Sequence, residues 1–138
     1  MGIVSCLDRA TRDLCFVTAC DVPVLDPQFV LDLLAQAEDH DIAMPQRPDG
    51  RTEPLLAAYR KSVLPAAESL LASGSRRIAC LLDLVRVRFV PFGPPPWYRN
   101  LNTPEDVREW RLGAVRERLA SPTGSSSCTT QAAAGVVA

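Results

Sequence analysis

The sequence predicts an α/β protein whose mainly parallel sheet is flanked by helices. Short apolar, β-branched runs of strand length alternate along the chain with segments whose apolar residues recur at helical spacing. One run, LCFVTA at 14–19, is apolar throughout rather than alternating, the pattern of a strand buried on both faces. The chain has 138 residues, 47% hydrophobic and 22% charged, which fits a single domain with a core of useful size.

Taken in order, GIVSCLDRAT (2–11) predicts a short helix with Ile3, Cys6, Leu7 and Ala10 on one side. The strand 14–19 follows. Asp26 before Pro27 is an N-cap followed by proline at the first helical position. Val30, Leu33, Leu34 and Ala37 then supply an amphipathic stripe. DIAMP (41–45) predicts a second strand, RPDGRTE a turn centred on Asp49-Gly50, and PLLAAYR (54–60) a third strand. Ser62 is placed to cap a helix that runs to about Ala72, with Gly74 as its stop. RRIACLLDL reads as a short helical piece, and VRVRFVP alternates like a half-exposed strand. PFGPPPWYR is a proline-fixed loop. Thr103 opens the last helix with an acid, Asp106, at the third helical position, and Val107, Trp110 and Ala114 face inward. Residues 1–120 form the expected domain; 121–138 read as a disordered low-complexity tail.

Composition removes several function classes. A net charge of −1 gives no field to gather nucleic acid or anionic membrane. Five cysteines without a C-x-x-C pair, two of them (Cys15, Cys20) in the first strand region, read as reduced, buried thiols of a cytoplasmic protein. His40 is the only histidine, which excludes histidine-based zinc sites and Ser-His or Cys-His nucleophile pairs. No run approaches the roughly 20 apolar residues of a membrane span. The start lacks the basic residues and apolar run of a secretion signal, and Cys6 stands where myristoylation needs Ser or Thr.

Three stretches carry chemistry. In FVTACDVPVLD, Asp21 ends a predicted central strand; ligands of such sheets bind beyond the carboxyl ends of the strands. Taken alone, Asp21 reads more simply as a turn or helix cap, which Pro23 also fits. In GRTEPLLAAYR, Glu53 stands directly before Pro54 and a strand, again a loop end or a site residue. In NLNTPEDV, Asn100 and Asn102 alternate around Leu101 just ahead of a helix N-terminus, where phosphate is welcome; the alternative is that they tie down a turn while Thr103 caps.

In this order and spacing, ACDVP, EPLLAAYR and NLNTPED resemble the molybdenum cofactor guanylyltransferases, over about residues 2–107. The resemblance implies a Rossmann-like nucleotidyltransferase fold and a Mg²⁺-dependent transfer of GMP from GTP to molybdopterin. Asp21 matches the family acid that holds Mg²⁺ on the GTP phosphates. Asn102, with Asn100, matches amides facing molybdopterin, and Asp21 and Asn102 are the residues it makes catalytic. Glu53, Pro54 and Leu55 match a motif on the floor of the site, and Glu-Pro-Leu favours guanine over cytosine. Hard oxygen ligands suit Mg²⁺, which screens two approaching polyanions.

The family's Gly-rich phosphate loop has no counterpart here: glycines stand at 2, 50, 74, 93, 113, 124 and 135, and Lys61 is the only lysine. The resemblance therefore implies a partial nucleotidyltransferase fold, the carboxyl-terminal half to two-thirds, not competent alone. A gene fragment, a partial paralogue beside a complete guanylyltransferase, and a non-catalytic module binding molybdopterin, molybdoenzymes or other proteins are the readings it leaves. It also implies that the strand 14–19 has a bare edge through which the chain self-associates.

Overall fold

The computed structural model describes residues 2–120. Helix α1 (Gly2–Arg9) leads to β1 (Leu14–Thr18), α2 (Pro27–Gln36), β2 (Ile42–Gln46) and β3 (Leu56–Arg60). A 3-10 turn (Lys61–Val63) runs into α3 (Leu64–Ala72), then come α4 (Ile78–Leu82), β4 (Val87–Pro91) and α5 (Pro104–Ala120). The strands form one sheet in the order β1-β3-β2-β4.

The α/β class holds, but the sheet is mixed rather than mainly parallel. β3 is antiparallel to both β1 and β2, and only β2 and β4 run parallel. The reason lies in the connection 47–55. It carries a tight turn, with Gly50 at φ 84° and its N–H on the Arg47 carbonyl at 2.9 Å. Such a link is shorter than the dozen or more residues a parallel crossover needs, so β3 must return antiparallel.

Each face of the sheet packs a helical layer, and the two-residue period of the strands sorts the side chains between them. Cys15, Val17, Ile42, Met44, Ala57 and Tyr59 join Leu7, Ala10, Val63, Ala67 and Leu81 in the larger core. On the other face, Ala43 and Ala58 present little bulk, so Leu33 of α2 and Ala37, which caps its carboxyl end, reach the sheet and bury completely or nearly so. β1 is covered unequally: Cys15 and Val17 are buried, Leu14 and Phe16 half-buried.

The local signals were mixed in their outcome. Asp26 caps α2, its Oδ1 accepting from Gln28 N–H at 2.9 Å, with Pro27 in the first turn. Gly74, at φ 82°, ends α3. Its N–H bonds to Leu71 C=O and the Ser75 N–H to Leu70 C=O, the double closure that a left-handed residue permits. Ser62 does not cap. Its Oγ donates to Asp41 Oδ1 at 2.7 Å, because the 3-10 turn moves the helix start to Leu64. Cys20 is exposed, not buried, since the strand stops at Thr18. On α5, Val107, Trp110 and Ala114 are half-buried and Leu112 is exposed, so that helix lies on the surface of the domain. The segment 121–138 lies outside the described residues. Among those residues, no helix is long and apolar enough to cross a membrane.

Candidate functional site

The topology gathers one rim. β1, β2 and β4 end there, and β3, running the other way, starts there. The rim therefore receives Asp21 after β1, Arg47 after β2, Glu53-Pro54-Leu55 before β3, and the loop 92–103 after β4. All the residues singled out from sequence sit on these four segments.

Asp21 is the chemically conspicuous one. Its Oδ1 is buried and has no hydrogen-bond partner, the sole such side-chain atom among the described residues. A buried carboxylate oxygen without a donor costs stability, and a helix cap would have one. Capping of the following helix is done by Asp26 instead. The Asp21 backbone is also engaged: its carbonyl accepts the N–H of Leu101 at 2.8 Å. That bond sets the NLN segment directly against the Asp21 turn. Asn100 and Asn102 flank the contact and are solvent-exposed.

What holds the 92–103 loop over the rim is a clamp on Glu53. Tyr98 donates its hydroxyl to Glu53 Oε2 at 2.9 Å, and the Arg47 Nε donates to Oε1. The Arg47 guanidinium lies 5.8 Å from the centre of the Tyr98 ring, so all three groups touch. Burial and then the neighbouring carboxylate push the Tyr98 hydroxyl up from its ordinary pKa, so it keeps the proton it donates. Aromatic packing continues the anchor, with Phe92 edge-on to Tyr98 at 5.1 Å and Phe29 against Phe92 at 5.5 Å and Trp97 at 5.3 Å. The proline-rich loop is thereby tied to α2 and to the 47–55 turn at once.

Glu53 thus spends both carboxylate oxygens on Arg47 and Tyr98, and its N–H on the Pro45 carbonyl at 3.0 Å. Pro54 offers its carbonyl to the hydroxyl of the buried Tyr59 at 2.8 Å, satisfying a polar atom that the core would otherwise strand. Leu55 is exposed, and its carbonyl takes the N–H of Ala19 at 3.0 Å, fixing the turn that bears Asp21. The motif frames the site by these bonds.

The N-terminus of α5 is capped from within. Asp106 N–H donates to Thr103 Oγ1 at 3.1 Å, while Asp106 Oδ2 accepts from the N–H groups of Thr103 and Asn102 at 2.8 and 3.0 Å. These donors, the Thr103 backbone first, hold the Asp106 carboxyl below its ordinary pKa. The N–H groups of Asn102 and Thr103 thus already meet a carboxylate and that of Asp106 a hydroxyl, while the side chains of Asn100 and Asn102 stay exposed beside them.

Among the described residues, no three acidic, cysteine or histidine side chains cluster as a metal cage. A hard cation at Asp21 would have one protein carboxylate and take its other oxygens from ligand and water, a coordination usual for Mg²⁺ on phosphates. Sequence reasoning did not single out Arg47, Trp97 or Tyr98. The available signal was a Trp-Tyr pair inside a proline loop, bulk too costly to leave in water without a packing role.

Comparison with known proteins bears on the fold and on the family. A "probable molybdenum cofactor guanylyltransferase" of Natronomonas pharaonis is 34% identical over 125 residues, 86% of this chain and 59% of its own length. That of Bacillus licheniformis is 29% identical over 78% of the chain and 57% of its own length. The chain thus spans a little under three-fifths of these curated relatives. The solved molybdopterin-guanine dinucleotide biosynthesis protein A of Archaeoglobus fulgidus superposes with a TM-score of 0.69 at 26% identity, over 83% of this chain and 62% of that one. The fold is shared more widely. The 2-C-methyl-D-erythritol 4-phosphate cytidylyltransferase of Thermus thermophilus superposes at 0.63 with 15% identity, over 82% of this chain and 67% of that one. The family model described as the MobA-like NTP transferase domain matches residues 1–87, and the chain belongs to that family.

Proposed function

We propose that the rim is the metal and acceptor side of a guanylyl-transfer site, using GTP and molybdopterin, with Asp21 facing the metal and Asn100 and Asn102 facing molybdopterin. The observation that carries this reading is the buried, unpartnered Asp21 Oδ1 set against the NLN segment by the Leu101–Asp21 bond. An oxygen kept without a donor is a poor structural element and a good ligand atom. Mg²⁺, when bound, supplies charge neutralisation at the transferring phosphorus. The chain's own contribution is positional. Asp21 holds a negative oxygen at the strand end, the two asparagines offer amide donors and acceptors to a phosphate-bearing acceptor, and the Glu53 clamp keeps both segments in register.

The reaction this serves is attack by the terminal phosphate oxygen of molybdopterin on the α-phosphorus of GTP, with pyrophosphate leaving. Donors for the β- and γ-phosphates have no Gly-rich loop in these 138 residues. We therefore expect the chain alone to bind but not to turn over, because loss of such a cradle removes the electrostatic stabilisation of the departing charge. Calorimetric titration with molybdopterin, and separately with GTP and Mg²⁺, tests the proposal. Binding of either that is lost in Asp21→Asn or Asn102→Ala supports it; binding of neither sinks it.

A further inference from the structure

Two substrates that both carry phosphate need cations beside them, and the rim offers few. Its segments 19–26, 47–55 and 92–103 hold three, Arg47, Arg51 and Arg99. Arg47 is committed to Glu53 through its Nε, and Arg51 stands in the 47–51 turn, 80% exposed beside Asp49. Arg99 has a different setting. It is the one charged residue of 92–103, and the chain is pinned on either side of it. Tyr98 is held by its hydroxyl on Glu53, and Leu101 by its N–H on Asp21. The Arg99 backbone is thereby fixed next to Asn100 and two residues from the amide that reaches Asp21.

The side chain, by contrast, is loosely held. Its Nη2 donates to Glu109 Oε2 of α5 at 3.1 Å, and the two side chains are 48% and 71% exposed. An ion pair so open to water contributes little, because solvent screens it and two long side chains must be ordered to form it. A guanidinium also presents paired N–H donors that match the oxygens of a phosphate. Exchanging Glu109 for a phosphate is therefore a rotation of one side chain on a fixed backbone, at small cost.

We propose that Arg99 is the residue that receives the terminal phosphate of molybdopterin, leaving Glu109 to do so. Glu109 holds the guanidinium beside α5 until the acceptor arrives. This inference rests on the guanylyl-transfer reading and adds to it the group recognised, a phosphate monoester beside the amides of Asn100 and Asn102. Bringing that phosphate to the α-phosphorus of GTP sets two anions together. A cation on the acceptor side lessens the repulsion between them.

Calorimetric titration of the full 138-residue chain with molybdopterin and, in a second arm, with its dephosphorylated form tests this. Arg99→Gln changes an exposed side chain, so its melt should match the parent. It should weaken molybdopterin binding roughly tenfold or more, and leave binding of the dephosphorylated pterin and of GTP with Mg²⁺ as in the parent. Arg99→Lys should recover only part of the loss, since it lacks the paired donors. Glu109→Gln frees the guanidinium and should tighten molybdopterin binding by up to about fivefold. Arg108→Gln removes the same charge from the exposed pair with Glu105 and should change nothing. Molybdopterin binding that is lost in Asn102→Ala but indifferent to Arg99→Gln overturns this inference and leaves the site reading standing. Binding of neither substrate by the parent sinks both. An equal loss in Arg99→Gln and Arg108→Gln, or a loss shared by the dephosphorylated form, also overturns it, by showing an effect other than a contact with the phosphate.

Discussion

The N–H of Leu101 donates to the carbonyl of Asp21 across 2.8 Å, joining the turn after the first strand to the loop after the last. One backbone bond therefore sets the distance between the candidate metal ligand and the two asparagines. Its geometry depends on whatever holds the 92–103 loop, and that is the clamp on Glu53.

Tyr98→Phe tests the clamp. It removes the hydroxyl donated to Glu53 while keeping the ring against Phe92. The expected cost is about 1 kcal/mol, as for a hydrogen bond to a half-exposed carboxylate. The Leu101 amide should exchange faster than in the parent, because its loop is freer. A melt and an exchange profile both unchanged would remove Tyr98 from the positioning of the rim.

The fold was legible in sequence wherever a local rule had no competitor. Asp26-Pro27, Gly74 and Thr103 with Asp106 all act as their chemistry dictates. Strand direction was not legible from apolar pattern, because β3 reads the same in either sense; only the length of 47–55 distinguished the two. Ser62 failed as a cap because a tertiary partner, Asp41, took its hydroxyl. Of the site, Asp21 and the NLN segment stood out as residues, but their adjacency is a backbone bond that no motif encodes. The Arg47–Glu53–Tyr98 clamp likewise depends on a loop folding back over the sheet.

The acid limb of stability should report on Asp41. Burial pushes its carboxyl up, but hydrogen bonds from Ser62 Oγ and Arg86 N–H, with the Arg86 charge, outweigh that and hold it below the ordinary carboxylate value. A depressed folded pKa stabilises above the unfolded value, near 4, and that stability is lost as pH falls through the folded one. Asp41→Asn should therefore lower the melting temperature at neutral pH and flatten its decline below about pH 4. An unaltered slope would mean another carboxylate dominates acid unfolding.

Thr103→Ala should fray the start of α5 by removing the hydroxyl that accepts the Asp106 N–H. Loss of such a cap costs about 1 kcal/mol of helix stability. Because α5 is only half-buried, the effect should appear as faster exchange at Asp106 and Val107 with little change in the global melt. A large global loss would show that α5 is more firmly part of the core than its exposure indicates.

The central claim is that Asp21 keeps a buried oxygen unpartnered because a metal on a phosphate ligand is its partner. Paramagnetic broadening of backbone amides by Mn²⁺ in the presence of GTP, in the parent and in Asp21→Asn, measures this without requiring turnover. The account predicts selective broadening at residues 20–22 and 100–102 in the parent. In Asp21→Asn that broadening should be lost, and the variant should be as stable as the parent or up to about 1 kcal/mol more so, since the amide no longer strands a charged oxygen. No broadening at these amides, or the same broadening in both proteins, would contradict it.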